Sequence, residues 1–271
     1  MKIIMPIAGR GSRFTAQVNQ HPEYNRPKPI IDVKGYPMVR WATGSLPFIK
    51  HLGQEVVGEL LVEPKDLIFI ALKEHEVNYQ ISRELKNIYG GEIKIIFLDE
   101  VTRGAAETAL KAKDFINNDE SLIISDSDHF FDGASLAELL LVNPGIDGAI
   151  PVFSVSVGDT KWSFSRLGSD GYVDLVAEKQ PISTWANVGC YYFGKGRDFV
   201  TVAEEAINNQ EKYNNEFYIA PLYNKIIARG GKMKLAFPKY VYGLGTPEDL
   251  ENFLEFSEKK GLDKLLIQTK D

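Results

Sequence analysis

A chain of 271 residues with 44% apolar and 25% charged side chains is long enough for one large domain or two small ones, and too apolar for a disordered chain. Thirty-one basic against 37 acidic residues, net −6, argue against a broad nucleic-acid or membrane surface, although a local cluster of cations can still hold a small phosphate ligand. One cysteine and four histidines leave no disulfide framework or Cys/His zinc cluster, and no apolar run approaches a membrane span or an export signal, so a reduced, cytoplasmic domain is expected.

Along the first half, short and nearly continuous apolar runs alternate with helical patterns. Residues 2–8 (KIIMPIA), 66–72 (DLIFIAL), 92–99 (EIKIIFLD) and 121–128 (SLIISDSD) are predicted as strands buried on both faces. Residues 37–46, 76–89 and 105–117 between them carry helical periodicity. This alternation implies parallel β-α-β units with right-handed crossovers. The pattern changes at residues 149–155, 163–167 and 172–178, which are predicted as antiparallel strands with Ser169-Asp170-Gly171 as a hairpin turn. Helices are then expected over residues 197–209 and 217–229, the second stopped by Gly230-Gly231. A strand over 232–237 and a last helix over 247–260, with Pro247 in its first turn, complete the chain. Without repeats, low-complexity tracts or a Ser/Gly linker, one mixed α/β domain over residues 1–271 is favoured over two.

Two segments carry unusual chemistry. Residues 5–14 read MPIAGRGSRF, a buried strand running straight into Gly9-Arg10-Gly11-Ser12-Arg13. Two glycines one apart let the backbone approach a ligand and present N–H groups, and Arg10 and Arg13 add positive charge. The third glycine of a dinucleotide fingerprint is missing, and so is the Gly-Lys-Ser/Thr of a P-loop. Further on, Pro27 and Pro29 fix the backbone on both sides of Lys28, so that its ammonium is aimed at little entropic cost. At the end of the fourth predicted strand, Asp126-Ser127-Asp128-His129 sits where open α/β sheets bind ligands. Alternate carboxylates on a strand point to opposite sides, so one of the pair is expected to ligate a hard cation unless the strand has already ended.

Together PIAGRGSRF, RPKPIIDVKGYPM, DEVTRGAAETAL, IISDSDHF, AEKQP, NVGCYYF and YGLGTPEDL resemble the ordered signatures of the sugar-phosphate nucleotidyltransferases, or nucleotide-sugar pyrophosphorylases. The wording is most similar to members from capsule and lipopolysaccharide biosynthesis clusters. The resemblance implies a single GT-A-like (Rossmann-like) α/β domain with a mostly parallel central mixed sheet flanked by helices. Residues 1–130 would form its nucleotide-binding half and 131–271 its acceptor-binding half. It implies an enzyme that joins an NTP, with CTP or dTTP favoured, to a phosphorylated sugar or other small phosphorylated acceptor and releases pyrophosphate. Mg²⁺, or Mn²⁺ in its place, would assist.

By the same resemblance Ala8, Gly9, Arg10, Gly11 and Ser12 would surround the triphosphate, Arg13 would hold the departing pyrophosphate, and Lys28 would bridge attacking and leaving groups. Thr102, Gly104 and Ala105 would admit the base. Glu178 would hold an acceptor hydroxyl and Lys179 the acceptor phosphate, with Asn187 and Gly189 lining the acceptor pocket. Asp128 would be the main metal ligand and Asp126 the secondary one. His129 is read as a bystander, because hard Mg²⁺ prefers oxygen. One departure stands out: related sugar enzymes carry a second metal-binding Asp before Gly-Thr-Pro, where this chain has Gly243. Either phosphates, water and Asp126 complete the cation's shell, or another acid such as Glu216 does. Asp126-Ser127-Asp128 is also a D-x-D motif, so a GT-A glycosyltransferase is the alternative, and a non-catalytic nucleotide sensor a second one.

Overall fold

The computed structural model describes residues 1–46, 48–49, 60 and 62–260. Strand β1 (Lys2–Pro6) runs into the one-turn helix α1 (Ser12–Thr15), and a small hairpin of β2 (Asp32–Val33) and β3 (Tyr36–Pro37) leads to α2 (Met38–Gly44). Strand β4 (Leu67–Leu72) is followed by α3 (Lys73–Tyr79) and α4 (Ile81–Tyr89), and β5 (Lys94–Leu98) by α5 (Ala105–Leu110) and α6 (Lys113–Ile116). After β6 (Leu122–Ser125) come β7 (His129–Phe131) and α7 (Ala134–Val142). The second half begins with β8 (Gly148–Ser154), β9 (Ser163–Leu167), β10 (Val173–Glu178), β11 (Trp185–Asn187) and β12 (Cys190–Phe193). It closes with α8 (Gly196–Asn208), α9 (Tyr223–Ala228), β13 (Met233–Ala236), β14 (Val241–Gly243) and α10 (Pro247–Lys260).

One mixed sheet carries the molecule, in the order β10-β9-β11-β8-β12-β6-β1-β4-β5 with β13 beside β8. The expected α/β class is borne out. Strands β6, β1, β4 and β5 are parallel, as buried apolar runs joined by helices require. Strand β12 enters antiparallel against β6 and joins this half to the antiparallel strands beyond. All six residues of β4 are buried, because helices cover both faces. A third apolar cluster, with Phe14, Trp41, Phe130, Leu244 and Phe253 at its heart, lies under the loops at the carboxyl ends of β1 and β6. At about 1.5–3 kcal/mol per fully buried large side chain, this cluster anchors α1, α2, β7, β14 and α10 to one another. It thereby fixes the loops that build the site.

Several helices are shorter than their periodicity predicts. Residues 76–89 divide at Gln80, which adopts a left-handed backbone (φ 50°), and Glu76 caps the second piece by accepting from Ser82 N and Oγ. The pattern over 105–117 breaks at Ala112, so that Ala109 and Ile116 both stay buried. The helix expected from 217 starts only at Tyr223, because Phe217 N donates to Arg103 O and Phe217 O accepts from Ala106 N, which pins that residue to the neighbouring loop. The predicted strand 121–128 ends at Ser125. Helix α7 was hidden by its nearly all-apolar run, and β7 and β14, three residues each, are too short to show a period.

Candidate active site

The Gly/Arg loop and the Pro-Lys-Pro segment meet. Gly11, left-handed at φ 63°, caps α1, and a Cβ on it would lie 3.2 Å from Cβ of Lys28, so the close approach requires glycine. Arg10 and Arg13 are exposed, and no described carboxylate pairs with either. Their charge is thus available to an anion above the loop. Lys28 opens a single 3₁₀ turn of residues 28–30, and its Nζ donates to Asp128 Oδ2 at 2.7 Å.

Because β6 ends at Ser125, the two carboxylates converge instead of diverging. Asp126, Asp128 and His129 each offer a ligand atom within 4.8 Å of the others. Asp126 N donates to Gly189 O at 2.9 Å, and Leu244 N to Asp128 O at 2.7 Å, so both neighbouring strand ends hold the turn. Burial pushes the Asp126 carboxyl up to about 6, assisted by the charge of Asp128. Burial acts upward on Asp128 too, but Lys28 and then His129 outweigh it and hold that carboxyl well below its usual range. His129 loses to burial and gains more from Asp128, whose Oδ1 lies 3.1 Å from its Nδ1, so its pKa is raised. Asp128 is therefore charged at neutral pH, and Asp126 gains its full charge only above about 6.

The donor set suits a hard divalent cation. Two carboxylates converge and supply the oxygen ligands that such an ion prefers, with His129 beside them. Two glycines leave room beside the acids: a Cβ on Gly189 would lie 2.5 Å from Asp126 Oδ2, and one on Gly245 2.9 Å from Asp128 Oδ2. The residues fit the implied group.

A cavity of about 240 Å³ runs from Gly9 over Lys28 to Asp126 and Asp128. A second, about 210 Å³, shares Pro6, Gly9 and Asp126 with it and continues along Ala8, Thr102, Gly104 and Ala105 to Glu216. Ala8, Gly9, Thr102, Gly104 and Ala105 thus border one cleft, whereas Arg10, Gly11, Ser12 and Arg13 line neither cavity. Gly104, at φ 131°, packs on Phe217, where a Cβ would lie 2.5 Å from its carbonyl oxygen. Thr102 Oγ1 bonds Gly104 O at 3.0 Å and so braces the turn before α5.

The expected acceptor residues sit at or just past the ends of β10 and β11, and Glu178 lines a separate cavity of about 390 Å³ together with Phe217 and Tyr218. Glu178 is buried, its pKa raised by that burial, and accepts from Ser163 Oγ. Lys179 is left-handed (φ 51°), with Nζ donating to Tyr218 OH at 3.2 Å. Asn187 accepts from Ser165 Oγ, while its buried Nδ2 has no partner among the described residues. Gly189 stands against Asp126 itself. Cys190 is plain core, and Trp162 and Trp185 pack on Phe153 and Phe237. Sequence reading missed Asp249, in the first turn of α10, whose Oδ2 would lie 4.0 Å from the same Cβ on Gly245 that meets Asp128. It also missed Tyr218. Asp249 is four residues from the nearest glycine of its motif, and only the turn into α10 brings it back.

The fold is a GT-A-like α/β architecture of the nucleotidyltransferase kind. No family model and no curated protein matches the chain significantly. Among solved structures it is similar to the nucleoside-diphosphate-sugar pyrophosphorylase from Vibrio cholerae RC9, with a TM-score of 0.72 and 26% identity over 93% of this chain and 99% of that one. The inositol-1-phosphate CTP transferase from T. maritima shares the fold at a TM-score of 0.69 and 14% identity over 95% of each chain. A Bacillus anthracis protein assigned as a glucose-1-phosphate thymidylyltransferase does so at 0.69 and 18% identity, again over 95% of each chain. The first of these neighbours bears out the resemblance to sugar-phosphate nucleotidyltransferases and the corresponding enzyme class, and the other two bear out the fold. No described helix is long and apolar enough to cross a membrane.

Proposed function

We propose that the protein joins an NTP to a phosphorylated sugar or similar small phosphorylated acceptor and releases pyrophosphate. The observation that carries this reading is Lys28, framed by prolines, packed on Gly11 of the Arg-bearing loop and bonded to Asp128 at 2.7 Å. A glycosyltransferase with a D-x-D motif has no triphosphate for such a clamp to hold. The motif likeness to capsule and lipopolysaccharide enzymes supports a product destined for surface polysaccharide, and CTP or dTTP as the favoured nucleotide.

The acceptor's phosphate monoester is mostly dianionic at neutral pH, so no side chain has to take a proton from it. Its obstacle is charge: one anion must attack another in line at the α-phosphorus. Backbone N–H groups of residues 8–12 cradle the triphosphate, Arg13 draws on the departing pyrophosphate, and Lys28 neutralises the oxygens between attacking and leaving groups. Thr102, Gly104 and Ala105 receive the base. Lys179 holds the acceptor phosphate, while Glu178, Asn187 and Gly189 orient the rest of the acceptor. Asp128, with Asp126 beside it, would hold a divalent cation, which when bound withdraws charge from the phosphate oxygens. Residues 1–130 serve the nucleotide and 131–271 the acceptor.

The test is pyrophosphate release, measured with CTP, dTTP, UTP and GTP against sugar 1-phosphates and smaller phosphorylated alcohols in Mg²⁺. Release that needs both partners is expected for one nucleotide-acceptor pair. Consumption of a nucleotide sugar without pyrophosphate would overturn the reading.

A further inference from the structure

The acid expected before Gly-Thr-Pro is Gly243, so the carboxylate expected from this segment is missing from its position. Strand β14 pairs with β7 and sets Gly243 opposite His129. Three residues past Thr246, the chain has turned into α10, and Asp249 N donates to Thr246 Oγ1 at 3.1 Å, which fixes residue 249 in the first turn. Its carboxylate folds back over the vacant position. The three atoms nearest to a Cβ on Gly243 all belong to Asp249, at 3.4–3.6 Å. On the other side, a Cβ on Gly245 would lie 2.9 Å from Asp128 Oδ2 and 4.0 Å from Asp249 Oδ2. Both carboxylates border the space that the glycine leaves open, on the side where Lys28 also reaches Asp128 Oδ2. Only Lys161, half exposed, pairs with Asp249 among the described residues, at 3.4 Å. Glu216 borders the base side of the cleft instead.

Resting on the nucleotidyltransferase reading above, we infer that Asp249 replaces the missing acid. It is a further carboxylate toward a divalent cation at Asp128 and Asp126, supplied from α10 instead of from β14. Asp249 would hold the cation directly or through waters of the ion's shell, which Mg²⁺ commonly keeps.

Mn²⁺ titration of the full chain, followed by loss of the free-ion EPR signal, tests this without turnover. Asp249→Asn should weaken Mn²⁺ binding about 10–100-fold. Moving the carboxylate, by Gly243→Asp in an Asp249→Ala background, should restore most of it. Gly243 has no left-handed backbone, and the new side chain enters space that Asp249 vacates. A structural role in capping α10 predicts a fall in melting temperature without this recovery. Unchanged Mn²⁺ affinity in folded Asp249→Asn, where Asp128→Asn has lost it, overturns the inference and leaves the nucleotidyltransferase reading standing. If Asp249→Asn does not fold, the relocated variant decides: recovered binding supports the inference, and no recovery overturns it. Failure of the wild-type chain to bind Mn²⁺ at millimolar concentration would remove the cation site altogether, and the inference with it.

Discussion

Replacing Lys28 by alanine separates stability from chemistry. Lys28 Nζ and Asp128 Oδ2 are 2.7 Å apart, and their side chains are 24% and 17% exposed. At an effective dielectric of about 20 the bare attraction is on the order of 6 kcal/mol, most of which desolvation offsets. A charged hydrogen bond of this kind leaves a net loss of about 1.5–3 kcal/mol when one partner goes. In a chain of this size that lowers the melting temperature by several degrees and leaves the protein folded at 25 °C. Turnover should suffer more. Losing a preorganised charge at a reacting phosphate costs about a hundredfold or more, roughly 2.7 kcal/mol of barrier. Lys28 is also the foremost group holding Asp128 down, so the Asp128 carboxyl should rise toward its ordinary range in the variant. A pyrophosphate-release assay on the folded variant at 25 °C, beside a melting curve, measures both effects. Near-normal turnover would refute the role given to Lys28.

Other outcomes follow from the same geometry. Asp128→Asn should abolish activity and raise the metal concentration required, and Asp126→Asn should be milder; the reverse order in a Mn²⁺-dependence assay would contradict the ranking. Since Asp126 is pushed up to about 6, chiefly by burial, it gains charge as pH rises through that value. Mn²⁺ affinity should therefore climb through pH 6, and EPR titration of Asp126→Asn should lack that step. With the acceptor phosphate titrating near pH 6 itself, kcat/KM should keep its acidic limb in His129→Gln. Loss of that limb together with more than about a thousandfold in rate would point to a protein base. Gly189→Ala should cost about 1–3 kcal/mol in thermal melts, because its φ is 90° and its Cβ would meet Asp126 Oδ2 at 2.5 Å.

Much of this was legible in one sequence, for physical reasons. Buried parallel strands such as β4 are continuous apolar runs, and the glycines, arginines and prolines of the first two motifs restrict the backbone in ways that few other segments do. Helix interruptions were less legible. Gln80 takes a left-handed backbone within an unbroken helical period, and Phe217 is held out of a helix by bonds to residues more than a hundred positions away. The acid pair diverges only if the strand runs past Ser125, and the sequence left that open; the backbone in fact leaves the sheet there. Asp249 could not be found from spacing, because its place depends on how α10 enters against β14. Tyr218 was hidden for the same reason, since only tertiary packing brings its hydroxyl to Lys179.

The central claim is that one phosphate attacks the α-phosphorus of a nucleoside triphosphate and displaces pyrophosphate. Following the ³¹P spectrum of the enzyme with Mg²⁺, the preferred NTP and a sugar 1-phosphate tests it most directly. Paired resonances of a new diphosphate diester should grow in step with free pyrophosphate, as the acceptor's monoester signal declines. Nucleoside diphosphate appearing without pyrophosphate, or an unchanged spectrum across the four nucleotides and the acceptor panel, would contradict the account.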